Sequence, residues 1–76
     1  MNWRERIAVS PDVLAGKPVV NGTRISVELV IEQLAAGWSV EDILGNHPTL
    51  SAEDVSACLA YTAELLRDER VYSVPT

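Results

Sequence analysis

The chain is poor in the residues from which reactive sites are built. It has 1 cysteine and 1 histidine among 76 residues, and no cluster with the spacing of a metal-ligand set. The single thiol, Cys58, cannot close an internal disulfide, which fits a reducing compartment; its neighbours Val55, Leu59 and Thr62 point to a buried packing role. No phosphate-cradling glycine loop is present. Nucleophilic, metal-dependent and acid–base sites each need several polar side chains converging on one cleft. The expectation is therefore a protein that is not an enzyme and takes no cofactor or metal. No apolar run approaches the roughly 18 residues of a membrane span, and no signal peptide is recognisable, so a cytoplasmic protein without membrane contact is expected. Low-complexity tracts and linkers are missing as well.

What is there suits one small folded domain. Hydrophobic residues make up 47% and charged residues 22%, a globular composition. A chain of this length buries only about 60% of its unfolded surface, which leaves stability marginal and favours self-association, here a homodimer. The net charge of −5 is uneven. Residues 1–26 carry Arg4, Arg6, Lys17 and Arg24 against Glu5 and Asp12, for +2. Residues 27–76 carry Arg67 and Arg70 against nine carboxylates, for −7.

One short pattern recurs. "ISVELV", "WSVEDI" and "LSAEDV" each place a serine (Ser26, Ser39, Ser51) where it can cap a helix and a glutamate (Glu28, Glu41, Glu53) in the first turn, where the helix dipole is positive. Ile25, Trp38 and Leu50 are each set to staple onto Val30, Ile43 and Val55, and Asp42 and Asp54 supply an acidic form of the capping box. Three helices are predicted. The first buries Val27, Val30, Ile31, Leu34 and Ala35 and stops at Gly37. The second buries Val40, Ile43 and Leu44 and ends near Gly45 or Asn46. The third buries a stripe of Val55, Cys58, Leu59, Thr62, Leu65 and Leu66.

Ahead of the helices, β-branched runs broken by Pro11 and Pro18 read as short edge strands. Asn21-Gly22, flanked by Val19, Val20 and Ile25, reads as a type I′ hairpin turn. Such a hairpin is marginal alone and must pack on the bundle or on a second subunit, the latter by pairing or exchange of N-terminal segments. The predicted architecture is mainly α: a three-helix, helix-turn-helix bundle with a short N-terminal β-hairpin. It divides into an arm and hairpin over 1–25, the bundle over 26–70 and a tail over 71–76.

"GKPVVNGTRISVELV", followed by "LAAGWSVEDILGNHPTLSAEDVSACLAY", resembles the family catalogued as domain of unknown function 433 over roughly residues 10–64. The resemblance implies a homeodomain-like three-helix fold. It also implies an antitoxin role in a toxin–antitoxin pair whose toxin is a PIN-like, metal-dependent ribonuclease. Two positions depart from the family pattern, Asn21 where a basic residue is common and Ser26 where a proline is. The first weakens a phosphate-binding reading of the hairpin; the second makes a better cap.

Two sets of residues are candidates for contacts. Lys17, Asn21, Thr23 and Arg24 surround the turn and are the best nucleic-acid contacts on an acidic chain, although they also read as solubilising charges that protect a strand edge. Against DNA stands the start of the third helix, where Glu53 and Asp54 occupy the end that a recognition helix points at the duplex. Arg67, Arg70, Val71 and Tyr72 combine cations with exposed apolar groups, as protein-interface anchors do; a frayed terminus is the plainer reading. Trp3 and Trp38 are further candidates. His47, before Pro48, reads as a solvated or capping histidine. The functional expectation is an antitoxin that masks a PIN-like ribonuclease and represses its own operon through DNA. A helix-turn-helix regulator without a toxin, or a structural dimerisation module, is the alternative.

Overall fold

A computed structural model of the chain describes residues 2–68. A 3₁₀ turn, Trp3–Glu5, leads into β1 (Ile7–Ala8); β2 (Val19–Val20) follows, and then the helices α1 (Val27–Ala35), α2 (Val40–Asn46) and α3 (Ala52–Asp68). β1 and β2 pair antiparallel, with Ile7 opposite Val20 and Ala8 opposite Val19. The protein is thus mainly helical, three helices behind a two-stranded antiparallel sheet, in agreement with the sequence reading.

The serine caps do what their spacing requires. The Ser26 hydroxyl accepts from the Leu29 amide at 3.0 Å. Ser39 and Asp42 form a reciprocal box at 3.0 Å each way, as do Ser51 and Asp54 at 3.2 and 2.9 Å. Bonds from the Ser39 amide and hydroxyl hold the Asp42 carboxyl below the usual carboxylate range. α1 ends at Gly37, whose φ of +94° is the left-handed conformation glycine adopts without a Cβ clash.

Around Asn21-Gly22 the geometry differs from the expectation. Gly22 has φ +81° but Asn21 does not share the positive φ, and the Thr23 amide donates to the Val20 carbonyl at 3.0 Å. That is the pattern of a type II turn, not a type I′ turn. The ladder partner of Val19–Val20 is β1, far back in the sequence. The chain after the turn makes only the single Val19–Ser26 bridge before α1 begins. Between the strands, Leu14 and Ala15 take positive φ (48° and 55°) ahead of Gly16 at 85°.

The core joins Ile7 and Val20 from the sheet to Val27, Val30, Ile43, Leu50, Val55, Ala57 and Cys58 from the helical part. All three staple pairs belong to it or pack on it. Five expected core positions are corrected. Ala35 is exposed, and Val40 keeps 39% of its surface in solvent. On α3, Leu59, Leu65 and Leu66 are 49%, 50% and 58% exposed, while Ala57 is fully buried. α3 is packed by the 3₁₀ turn and β1 as well as by α1 and α2, and the arm meets it at Tyr61, where Trp3 seats edge-on, so the buried face extends to Ala57 and Tyr61.

Candidate partner-binding surface

The first turn of α3 carries two adjacent carboxylates, Glu53 and Asp54. Asp54 is committed twice: its Oδ2 accepts from the Ser51 amide, and its Oδ1 receives Arg6 Nη1 at 3.0 Å. Burial pushes this carboxyl up, but the bonds from Ser51 and Arg6 outweigh burial and hold it low, so it is charged at neutral pH. Glu53 beside it is exposed. α2 and α3 are joined by the short connection over 47–51, the order of elements that a helix-turn-helix requires. The exposed carboxylate of Glu53 nonetheless stands at the end of α3 that a recognition helix would turn to phosphates, with Asp54 beside it paired to Arg6.

The four candidates at the turn separate into different roles. Thr23 is consumed by the turn itself: its hydroxyl donates to the Val20 carbonyl at 2.8 Å and accepts from the Ile25 amide at 3.0 Å. Asn21 is exposed, and its amide N–H is held by the Arg6 carbonyl at 2.7 Å. Lys17 Nζ sits 2.9 Å from Glu28 Oε1 in a solvent-facing pair, and the hydrogen bond it donates to that carboxylate raises its pKa. Arg24 does not reach Glu28 as an i,i+4 pair, because α1 begins only at Val27. Arg24 is exposed and makes no ion pair with any described residue.

Of the second set, Arg67 is exposed near the end of α3; Arg70, Val71 and Tyr72 lie outside the described residues. Trp3 is anchored: its indole N–H donates to Glu64, its ring meets Tyr61 edge-on at 4.8 Å, and the Arg4 guanidinium lies 4.6 Å above it. Trp38 is half-buried against the core. His47 caps α2 and meets Gln33 Oε1 at 3.2 Å.

A surface feature that sequence reasoning missed runs between α1 and α3. Val27, Ile31, Tyr61 and Leu65, with Pro18 at one end, line an open apolar groove of about 290 Å³, and Glu28 and Glu32 stand on its rim. Ile31 and Leu65 had been assigned to the core. The signal was present in α3, whose apolar positions wrap more than half its circumference at about 100° per residue. One contact face cannot bury that arc, so part of it must line a surface. Grooves with an apolar floor and charged rim are where amphipathic partner segments seat.

The comparisons agree with this architecture. A family model described as "Protein of unknown function (DUF433)" matches residues 7–62. A curated relative, "Uncharacterized protein y4eO" of Sinorhizobium fredii (strain NBRC 101917 / NGR234), is 46% identical over 68 residues, which cover 88% of this chain. The chain spans only 31% of that relative's length. A crystal structure titled as that of a DUF433 member protein from Anabaena variabilis ATCC 29413 superposes with a TM-score of 0.77 at 31% identity. That match covers 82% of this chain and 61% of the other.

Proposed function

This chain belongs to the DUF433 family, and we propose that it is a non-enzymatic cytoplasmic binding protein: the antitoxin of a toxin–antitoxin pair, which masks a PIN-like ribonuclease. The observation that carries this reading is the α1–α3 groove, an apolar surface on a folded domain with carboxylates on its rim. A partner segment with apolar anchors and flanking cations fits it, and such a segment covering a nuclease's substrate path would block RNA entry. The acidic start of α3 supports a protein partner over DNA as the main ligand, since a duplex carries one negative charge per ~1.7 Å. No helix among the described residues is long and apolar enough to cross a membrane.

Repression of its own operon is the second reading. It is favoured by the α2–turn–α3 arrangement and by Arg24, exposed without an ion-pair partner among the described residues. Its mark is an affinity for duplex DNA that falls steeply with salt.

The test is capture on tagged protein from native lysate, with and without added nuclease, followed by mass spectrometry. A stoichiometric small nuclease that survives the treatment is the expected result. Retention of DNA alone overturns the antitoxin reading in favour of the regulator, and retention of nothing overturns both.

A further inference from the structure

The solvent face of α3 belongs neither to the core nor to the groove. A helix packed on a bundle normally turns charged residues outward. Here Ala52, Ser56, Leu59, Ala63 and Leu66 succeed one another at alternating steps of four and three, and all five are exposed, Leu59 by 49% and Leu66 by 58%. That alternation is the seam of a coiled coil. Glu53 and Arg67 border it on one flank, one near each end of the helix.

We propose that this seam is the contact between two copies of the chain, their α3 helices packed antiparallel about a two-fold axis level with residue 61. In that register Leu59 of one copy faces Ala63 of the other, and Leu66 faces Ser56. Each large side chain meets a small one, and by symmetry each pairing occurs twice. The same register brings Glu53 beside Arg67 of the second copy at both ends. A parallel pairing would set Leu59 against Leu59, Leu66 against Leu66 and Ala63 against Ala63, large on large and small on small, and would place Glu53 and Arg67 of the two copies on opposite flanks where neither meets its counterpart.

The surface is shaped for this occupant. Along the Ala63 edge of the seam lies a hollow of about 260 Å³, floored by Ala60 and Ala63 and walled by Trp3, Arg4, Glu64 and Arg67. It opens at the level where the incoming Leu59 seats. DNA gains nothing from an uncharged seam, and a one-signed partner helix would satisfy only one of the two flanking charges, whereas a second copy satisfies both. The contact involves about four turns of one helix per copy. That is well below the ~1,200 Å² of tight complexes, so the dimer is expected to dissociate in the micromolar range.

The proposal is independent of any toxin and is tested on the purified full chain by sedimentation equilibrium over a range of concentrations. The parent is expected to approach twice the monomer mass. L59E should remain monomeric with its circular-dichroism melt, taken at low concentration, unchanged. E53R or R67E alone should weaken the dimer roughly fivefold or more, and the double reversal E53R/R67E should restore it. A parent that stays monomeric throughout, a dimer indifferent to L59E, or single reversals that the double variant fails to rescue would each overturn the proposal, while leaving the antitoxin reading standing.

Discussion

Arg6 and Asp54 join the two ends of the fold: the guanidinium of the N-terminal arm lies 3.0 Å from the carboxylate that also closes the cap of α3. The Asp54 side chain retains only 14% of its surface, so this pair is screened less than an ordinary surface pair. One carboxylate thereby fixes both where α3 begins and how the arm crosses it.

Asp54→Asn should destabilise the protein by about 1 kcal/mol at neutral pH, the usual value of a cap and a partly screened ion pair. The Asp54 carboxyl titrates below its ordinary value. Its contribution is therefore fully present above that ordinary value and is lost as pH falls through the folded one. Urea titrations at several pH values should show the gap between parent and variant closing as pH falls below about 4. A gap that stays constant into acid would remove the Arg6 pair from the account.

Ala15 holds φ 55° without being glycine, which costs an L-residue roughly 1 kcal/mol. Ala15→Gly should relieve that strain and, after the added freedom of the unfolded chain, raise stability by about 0.5 kcal/mol. Thermal or urea unfolding measures it; a loss of stability would contradict the left-handed turn.

Cys58 is completely buried, and burial pushes its thiol up to about 11. The folded protein should therefore resist a thiol reagent such as DTNB at neutral pH, reacting only as fast as the chain opens. Labelling should accelerate in step with the unfolded population as urea is added. Rapid labelling in buffer alone would place the thiol at the surface.

Trp3 is the chief anchor of the arm on α3 through Tyr61 and Glu64. Trp3→Ala should lower stability by about 2 kcal/mol and remove much of the near-ultraviolet dichroism. A variant with parent stability would mean that the arm does not hold the bundle.

Leu65→Glu puts a third carboxylate into the α1–α3 groove at a half-exposed position. Unfolding should shift by less than about 0.5 kcal/mol, while capture of the partner protein from lysate should fall sharply. Undiminished capture would move the binding surface away from the groove.

How much could be read in advance depended on whether a signal was local. Serine caps, acidic first turns and the glycine stop at Gly37 act within one or two turns of chain, and all three helices start where they say. The turn at Asn21-Gly22 was located correctly but given the wrong type: four residues, not two, separate Val20 from Ile25, and the chain beyond holds β2 only through the Val19–Ser26 bridge before it enters α1, while the ladder itself is made with distant β1. The buried face of α3 was also misassigned. Apolar spacing pointed to Leu59 and Leu66, but the rotation of a helix about its own axis is set by whatever packs on it, and the arm claims the Tyr61 side through Trp3. Of the candidate contacts, Thr23 proved to be part of the turn's own hydrogen bonding, and the groove residues passed for core.

The sequence by itself determined where the three helices begin and how unevenly the charge is spread, since these depend on residue identity and short spacing. Tertiary structure decided which apolar residues remain in solvent. The reason is geometric: α3 carries apolar side chains over more than half its circumference, and a bundle of two further short helices, a two-stranded sheet and one 3₁₀ turn covers only part of that arc. The leftover faces are the groove against α1 and the Leu59–Leu66 seam.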